Sequence, residues 1–239
     1  EIVNRKQNDY MKNKCFLGFT ITELIIAMGI IGVISALTVP VLIAHYQTQS
    51  LQLILKKTYG ELRQNLDMFQ TESYKKKLYA SSLSTLDGSK TVTETAGRFL
   101  TNYFRVTKDC DSTAQPCFAD SYRTIDSADR TNFSCNSGYN VLLASGAAIC
   151  LIPPATDTPA KVYIDVNGQD KPNIGGRDMF TVYIYDDFSI DEKDITPDVI
   201  KSGDAKGDRD TLFNDSCKTS YVGEGCFGKI INDNWKVSY

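Results

Sequence analysis

The amino-acid sequence predicts an α+β protein in which a long N-terminal helix packs on an antiparallel β-sheet head that is stapled by disulfide bonds. Three observations lead to this prediction. An uncharged apolar run covers residues 24–44, and an amphipathic pattern extends it to about residue 70. Four segments with alternating apolar residues and short connections follow between residues 139 and 185. Six of the seven cysteines lie between residues 110 and 226, and the seventh is Cys15.

The composition is that of an ordinary globular chain. Of its 239 residues, 42% are hydrophobic and 23% are charged, which excludes a wholly disordered or collagen-like protein. The net charge of -3 argues against a protein whose main task is to neutralise nucleic-acid phosphates. A single histidine, His45, excludes sites that need two histidines from one chain. No nucleophile elbow or P-loop motif occurs, so we expect no enzyme activity, and only carboxylate-pair chemistry stays open.

The apolar run from Leu24 to Ala44 is long enough to cross a membrane. Its 21 residues would span about 31 Å as a helix, which matches the hydrocarbon core of a bilayer. Basic residues precede the run, so the positive-inside bias places residues 1–18 in the cytoplasm and everything beyond about residue 45 outside it. A cleaved secretory signal is the main alternative. The length of the run, the lack of an Ala-x-Ala site after it and its polar start disfavour that alternative.

Glu23 is unusual because it stands at the start of this run. A carboxylate at the edge of an apolar membrane helix costs a few kcal/mol unless it is paired or lies near the lipid headgroups. No Lys or Arg lies between Glu23 and Lys56. Glu23 is therefore either tolerated at headgroup level, or paired with a cation from another molecule or with an N-terminal amine made by cleavage just upstream.

The segment CFLGFTITELI (residues 15–25), followed by the apolar run, resembles the class III signal of type IV pilins and type II secretion pseudopilins. The resemblance rests on Gly18, Phe19, Glu23 and Pro40. It implies cleavage after Gly18 by a prepilin peptidase, N-methylation of Phe19, and pairing of Glu23 with the Phe19 amine of a neighbouring subunit. The stretch MKNKCFLG that ends at Gly18 is by itself a short basic leader. We therefore expect the first ten residues to be an upstream extension or an artefact of gene prediction.

The resemblance implies a structural subunit of a type IV pilus or of a type II secretion pseudopilus. We expect a cleaved leader at 1–18, a transmembrane or filament-core helix half at 19–45, an amphipathic helix half at 46–72 and a globular head at 73–239. The implied partners are the prepilin peptidase, other pilin or pseudopilin subunits, the inner-membrane assembly platform and membrane lipid, whereas nucleic acid is not supported. The chain would pass once through the bacterial cytoplasmic (inner) membrane with its head outside, and would join an extracellular or periplasmic filament. The alternative is a membrane-anchored extracytoplasmic binding protein that never polymerises.

The helix is predicted to continue beyond the apolar run to about Gln70. Apolar side chains recur in this second half at spacings of three and four residues: Leu51, Leu55, Tyr59, Leu62, Leu66 and Phe69. Such a stripe needs a cover, and a sheet from the rest of the chain is the expected one. Pro40 removes one backbone hydrogen bond, so we expect a kink or a locally melted turn at that position.

The head is predicted to contain a second helix over residues 96–106, followed by a loop with cysteines at 110–135. Strands are then predicted over four segments: 139–144, 147–152, 161–166 and 179–185. Ser145 and Gly146 form a two-residue hairpin turn between the first two. Consecutive strands with short connections indicate an antiparallel meander. The glycine- and aspartate-rich segment 202–210 is predicted to be an exposed loop.

Six cysteines in the head favour three disulfide bonds formed outside the cytoplasm, since only Cys15 lies in the leader. Among the many pairings that six cysteines allow, we expect nearest neighbours in sequence: Cys110 with Cys117, Cys135 with Cys150, and Cys217 with Cys226. A zinc site is disfavoured because the head has no CxxC pair and no histidine.

The segment 165–178 (DVNGQDKPNIGGRD) is the one candidate for a metal site. Side-chain oxygens of Asp165, Asn167, Asp170 and Asp178 are ligands of the kind that calcium takes. An EF-hand loop, however, needs Gly at its sixth position and Glu at its twelfth, where this chain has Asp and Gly. An Asx/Gly turn between two strands is therefore the favoured interpretation, and no other cofactor is expected. The segment is also similar to a DxNG…PN…GxD stretch in the heads of some prepilin-like proteins.

Overall fold

The computed structural model describes Gly18 and residues 20–86, 88–156 and 158–239. The chain divides into two compact units, one that ends at Tyr46 and one that runs from Gln47 to Tyr239, called the C-terminal unit below. The longest element is the helix α1 (Ile21–Ser73), which supplies most of the described part of the first unit and the first element of the second. The long N-terminal helix predicted from the sequence is therefore confirmed.

Helix α1 is continuous through Pro40. A hydrogen bond from Thr38 Oγ1 to the carbonyl of Ile34, 2.9 Å long, lies in the turn before it. Of the two outcomes expected at Pro40, a locally melted turn is not observed. Proline removes only its own N–H from the helical ladder, and the neighbouring turns keep their bonds.

The main sheet of the C-terminal unit has six antiparallel strands in the order β1-β4-β5-β6-β7-β8. Its strands are β1 (Val106–Asp111), β4 (Tyr139–Leu143), β5 (Ala148–Ile152), β6 (Ala160–Asp165), β7 (Met179–Ile184) and β8 (Ile190–Asp191). From β4 to β7 each strand pairs with the next one along the chain, which confirms the antiparallel meander and its four predicted strands. A second, two-stranded sheet pairs β2 (Ser121–Arg123) with β3 (Arg130–Asn132).

Two predictions for the start of the head are wrong in part. The second helix, α2 (Arg98–Tyr103), follows a single π-helical turn (Thr93–Gly97) and ends before the predicted residue 106. It ends because Phe104 is extended and Val106 pairs with Leu143 as the first residue of β1. The segment 110–135, predicted as a loop, contains β2, β3 and the end of β1. These strands are short. All three residues of β3 are exposed, so β3 lacks the alternation of apolar and polar residues that predicts a strand.

The chain ends in three short helices: α3 (Pro197–Ser202), α4 (Ala205–Asp215) and α5 (Cys226–Asn232). The loop predicted at 202–210 is therefore wrong, since α4 covers most of it, whereas the predicted exposure is confirmed for most of the segment. Tertiary contacts outweigh the low helix propensity of its Gly and Asp residues. Phe213 is buried, and Arg209 forms an ion pair with Asp191, whose side chain is 3% exposed.

Two hydrophobic clusters lie on the main sheet. The first joins the apolar stripe of α1, including Leu62 and Phe69, to strand residues such as Val162, which confirms that the second half of α1 packs on the sheet. The second is built around aromatic residues of the segment between β1 and β4, among them Phe118. Alternate residues of β5 enter different clusters, for example Ile149 the first and Cys150 the second. Because alternate strand residues point to opposite faces, β5 is buried on both.

Candidate functional site

The N-terminus of α1 is capped by Thr20 and Glu23. The backbone N–H of Thr20 donates to Glu23 Oε2 at 2.9 Å, and the Thr20 hydroxyl donates to the same oxygen at 2.8 Å. In return, the backbone N–H of Glu23 donates to Thr20 Oγ1 at 3.3 Å. This reciprocal pair is a capping box, which satisfies two backbone donors that the first helical turn leaves without partners.

Sequence reasoning missed this role of Glu23, although the signal was present. A Thr followed three residues later by a Glu, just before an apolar run, is the pattern of a capping box. The carboxylate therefore has a local use in addition to any use between molecules. Both of its described bonds fall on Oε2. Gly18 lies just before the cap and is exposed, whereas Phe19, the predicted site of methylation, lies outside the described residues.

The first half of α1 carries its apolar side chains on the surface. From Ile21 to Ile43, the large hydrophobic side chains are 46–79% exposed. In the described part of the chain, α1 is the one helix that is long and apolar enough to cross a membrane. A surface of this kind is stable only in lipid or against other apolar surfaces.

The six cysteines of the head form three disulfide bonds with the expected nearest-neighbour pairing: Cys110–Cys117, Cys135–Cys150 and Cys217–Cys226. Their Cα–Cα distances, from 4.8 to 6.6 Å, are ordinary for a disulfide. The first two belong to the second hydrophobic cluster, and the third belongs to the first cluster. The bonds thus reinforce both faces of the main sheet.

The loop between β6 and β7 is organised by its own carboxylates. Asp178 accepts the backbone N–H groups of Asn173, at 2.6 Å, and Ile174, at 2.7 Å. Asp165 accepts the N–H of Asn167 at 3.1 Å and the hydroxyl of Tyr122. Burial raises the pKa of Asp178 to about 6, and burial together with the nearby charge of Asp178 raises the pKa of Asp165 well above its usual range.

This geometry fits the predicted Asx/Gly turn better than a calcium site. The side-chain nitrogen of Asn167 donates to the backbone carbonyls of Asp170 and Lys171, and the side chain of Asp170 is exposed. Among the described residues, no three or more His, Cys, Asp or Glu side chains are grouped so that they can hold a metal ion. Asp165, Asp170 and Asp178 therefore do not come together as a ligand set.

The same loop joins the main sheet to the two segments that flank it. The backbone of Arg123 in β2 donates to the carbonyl of Asn173 and accepts from the N–H of Gly175. On the other side, a Cβ atom at Gly175 would lie 2.1 Å from the carbonyl oxygen of Ser220. A Cβ atom at Gly176 would lie 2.6 Å from the sulfur of Cys226. The paired glycines of this motif are therefore needed for close packing against the C-terminal disulfide segment.

Comparison with known proteins adds no assignment: no protein-family model, no curated protein and no solved structure matches this chain.

Proposed function

We propose that this protein is a structural subunit of a type IV pilus or of a type II secretion pseudopilus, made as a prepilin and cleaved between Gly18 and Phe19. The observation that carries the proposal is the first half of α1. It is uncharged after its first turn and exposed over its apolar length, and its one carboxylate, Glu23, follows Gly18 at the spacing of the prepilin signal. A surface of this kind is what a subunit needs in order to be stored in lipid and then packed against other helices.

In this proposal the first half of α1 holds the subunit in the bacterial cytoplasmic membrane, with the head outside the cytoplasm. The prepilin peptidase removes the leader, and the new Phe19 terminus is methylated. The inner-membrane assembly platform then transfers the subunit into an extracellular or periplasmic filament. Assembly takes the place of catalysis, and the disulfide-reinforced head forms the filament surface.

Glu23 has two uses in this proposal. Before assembly, its Oε2 atom caps the subunit's own helix through Thr20. During assembly, the carboxylate pairs with the Phe19 amine of a neighbouring subunit. An ion pair of this kind in an apolar surrounding sets the register of one subunit on the next, because an uncompensated carboxylate there is costly.

A membrane-anchored binding protein that never polymerises is the second candidate, and the capping box is the observation that favours it. The cap gives Glu23 a reason to be present without any neighbouring subunit. A helix cap is worth about 0.5–2 kcal/mol, which is enough to keep the residue but has no consequence for assembly.

Two substitutions at Glu23 separate these candidates. Glu23→Gln keeps an oxygen that accepts from Thr20 but removes the charge, whereas Glu23→Ala removes both. If Glu23 pairs with an amine during assembly, both variants stay in the membrane and fall at least tenfold in the sheared or filament fraction. If Glu23 is only a helix cap, Glu23→Gln behaves like the original chain and Glu23→Ala shows no more than a small loss of helix stability.

Thr20→Val serves as the matched control, because it weakens the cap and leaves the carboxylate in place. Normal assembly of this variant together with failure of Glu23→Gln assigns the charge to the subunit contact. The mass of the N-terminal peptide from the membrane and sheared fractions completes the test. A methylated Phe19 terminus supports the filament subunit, and a terminus upstream of Gly18 or beyond Ala44 rejects it.

A further inference from the structure

The turn that follows α1 carries an exposed aromatic side chain beside two exposed cations, a group termed the basic patch below. Tyr74 is 93% exposed, and its backbone has a φ of 52°, which an aromatic residue rarely adopts. Lys75 and Lys76 follow it and are exposed. Among the described residues, neither of these two lysines has an ion-pair partner, whereas Lys77 pairs with Asp186 at 3.2 Å. The patch thus offers one apolar ring and two uncompensated charges to a partner.

The backbone of the basic patch is fixed on both sides. The N–H of Tyr74 donates to the carbonyl of Thr71 at 3.4 Å. After the lysines, the N–H of Leu78 donates to the carbonyl of Asp186 at 2.7 Å, and the N–H of Tyr79 donates to Asp186 Oδ1 at 3.0 Å. A turn held in this way between α1 and the β7–β8 connection loses little backbone entropy when a partner binds.

A second exposed surface of the C-terminal unit has the opposite charge. The segment 194–215, which contains α3 and α4, has six aspartates and three basic residues. One of the three, Arg209, is already bound to the buried Asp191. The segment therefore has an excess of negative charge on its exposed side.

Ile200 is the exposed apolar side chain of this segment, at 40%. Asp198 lies two residues before it and Asp204 four residues after it, and both are exposed. These three residues are termed the acidic patch below. Lys201 pairs with Asp198 at 3.7 Å, but this ion pair is fully open to solvent and is of the kind that contributes little. The two carboxylates are therefore available to a cationic partner.

The two patches match each other in form and are opposite in charge. Each has one exposed apolar side chain with two like charges beside it. An apolar contact inside a rim of opposite charges is the ordinary anatomy of a protein interface. Because the patches lie on different elements, a contact between them joins unlike surfaces of two molecules. Each molecule then keeps one patch free for the next, which is the geometry that builds open filaments.

The charge of the remaining surface favours a second copy of this chain over an anionic membrane or nucleic acid. From residue 47 to residue 239, the chain has 22 basic and 26 acidic residues. Two unpaired lysines on an acidic unit are fewer than the four to eight basic residues of a typical lipid-binding cluster. They are enough for one contact with two carboxylates.

We propose that the basic patch of one subunit contacts the acidic patch of the next, with Tyr74 against Ile200 and the two lysines against Asp198 and Asp204. This inference rests on the filament subunit proposed above, and it names one contact by which the heads join.

Charge reversal in cells that make the protein tests the contact. Lys75→Glu with Lys76→Glu reverses one patch, and Asp198→Lys with Asp204→Lys reverses the other. Each reversed chain should fall about tenfold in the sheared filament fraction, because like charges then face each other. A chain with all four substitutions should recover, since opposite charges meet again.

Lys108→Glu with Lys171→Glu is the matched control for the reversed basic patch. Both of these lysines are exposed and lie outside the patch, and the net charge changes equally. This control should assemble like the original chain. Recovery of the chain with four substitutions also shows that the reversed acidic patch does not prevent folding.

Tyr74→Asn and Ile200→Ser test the apolar centre without a change of charge. Asparagine tolerates a positive φ, and Ile200 lies on the surface, so urea unfolding followed by Trp235 fluorescence should stay unchanged. Assembly should fall about threefold for each variant. The two losses should not add in the double variant, because both substitutions remove the same contact.

The outcomes separate this contact from the proposed function. If the original chain gives no filament with a methylated Phe19 terminus, the proposed function is rejected and the contact with it. If the original chain forms filaments, the contact alone is overturned when the reversed chains assemble like the control, or when the four substitutions together do not restore assembly. It is also overturned if Lys75→Glu with Lys76→Glu weakens binding to phosphatidylglycerol vesicles and leaves assembly unchanged, since the patch then faces lipid.

Discussion

Large side chains between Ile21 and Ile43 of α1 are 46–79% exposed, whereas Leu55, Leu62 and Leu66 of the same helix are fully buried. The earlier stretch is mostly aliphatic and carries no charge after Glu23, whereas the later one intersperses apolar residues with charged ones. The two stretches also differ in what covers them. The later stretch is covered by the sheet of its own unit, and the earlier one has no cover from the described residues of its own unit.

Because of this difference, the folding of the C-terminal unit and the proposed assembly through the first half of α1 can be tested separately. The C-terminal unit has its own core, three disulfides and a buried ion pair, so its stability can be measured and altered by ordinary substitutions. Under the proposed function, the first half of α1 gains its stability from lipid or from other subunits, because apolar area left in water is unfavourable by about 25 cal/mol per Å². Substitutions in the two regions should therefore show up in different assays.

Gly223→Ala should have the largest effect on the C-terminal unit. Gly223 has a φ of 67°, and a Cβ atom there would lie 2.1 Å from the carbonyl oxygen of Met179. Strain and overlap with backbone together should cost about 4 kcal/mol or more. We expect a head that is rapidly cleaved by a protease while the chain stays in the membrane fraction.

Gly60→Ala is the control for this prediction. Gly60 lies inside α1 and a Cβ atom there meets nothing within 4 Å. Alanine is the better helix former by about 1 kcal/mol, so protease resistance should rise slightly or stay unchanged. Equal damage from both variants would show that close backbone contact at Gly223 is not what holds the C-terminal segment.

Leu62→Ala and Leu53→Ala test the comparison within one helix. Leu62 is fully buried, and its truncation should lower the free energy of unfolding by about 2–5 kcal/mol. Leu53 is 69% exposed, so the same change should alter it by less than about 0.5 kcal/mol. Trp235, the one tryptophan of the chain, lies 5.0 Å from the ring of Tyr59 on α1 and reports urea unfolding by fluorescence.

A large effect of Leu53→Ala on unfolding would contradict the division, because it would mean that the exposed face of α1 also contributes to the core. A loss of assembly with an unchanged free energy of unfolding would instead support the division. That outcome would place Leu53 with the first half of the helix, whose proposed cover is lipid or other subunits.

Glu192→Gln should have the smallest effect among the substitutions at buried positions, and its signature is a change of stability with pH. Glu192 is fully buried and accepts the backbone N–H of Gly228 at 3.1 Å. Burial raises its pKa from 4.5 to about 7. The folded chain therefore keeps a proton that the unfolded chain releases, so the free energy of unfolding falls as the pH rises from about 4.5 to about 7, and this contribution then levels off.

The variant lacks this proton equilibrium. Between about pH 5 and about pH 8, its stability relative to the original chain should rise by on the order of 1–3 kcal/mol. Urea unfolding of both proteins at several pH values measures the difference between their free energies of unfolding. The contributions of carboxylates that both proteins share cancel in this difference. Parallel pH profiles would mean that Glu192 is ionised throughout and is fully compensated by its backbone donors.

The parts of the fold that were predicted from the sequence are those with a strong local signal. Alternation of apolar residues identified β4 to β7 to within a residue or two, and the stripe from Leu51 to Phe69 identified the buried face of α1. The elements that were missed depend on contacts distant in sequence. Helix α4 is one example. Its Gly- and Asp-rich sequence has low helix propensity, and the helix is stabilised by the burial of Phe213 and by the ion pair between Arg209 and Asp191.

The same distinction holds for the sites. The Thr20–Glu23 cap could have been predicted from the sequence, because both of its members lie in one turn. The contact between Tyr122 and Asp165 could not be predicted, because the two residues lie in different sheets and only the fold brings the hydroxyl to the carboxylate.

Every disulfide in the C-terminal unit joins two cysteines that are consecutive along the chain. For a polypeptide that is threaded across a membrane from its N-terminal anchor onward, the order of emergence then matches the order of bonding. Each newly arrived thiol meets the one open partner left on the far side, and the earlier pairs are already closed. An oxidase that acts at once on whatever has emerged would therefore make the native bonds without an isomerase to correct them.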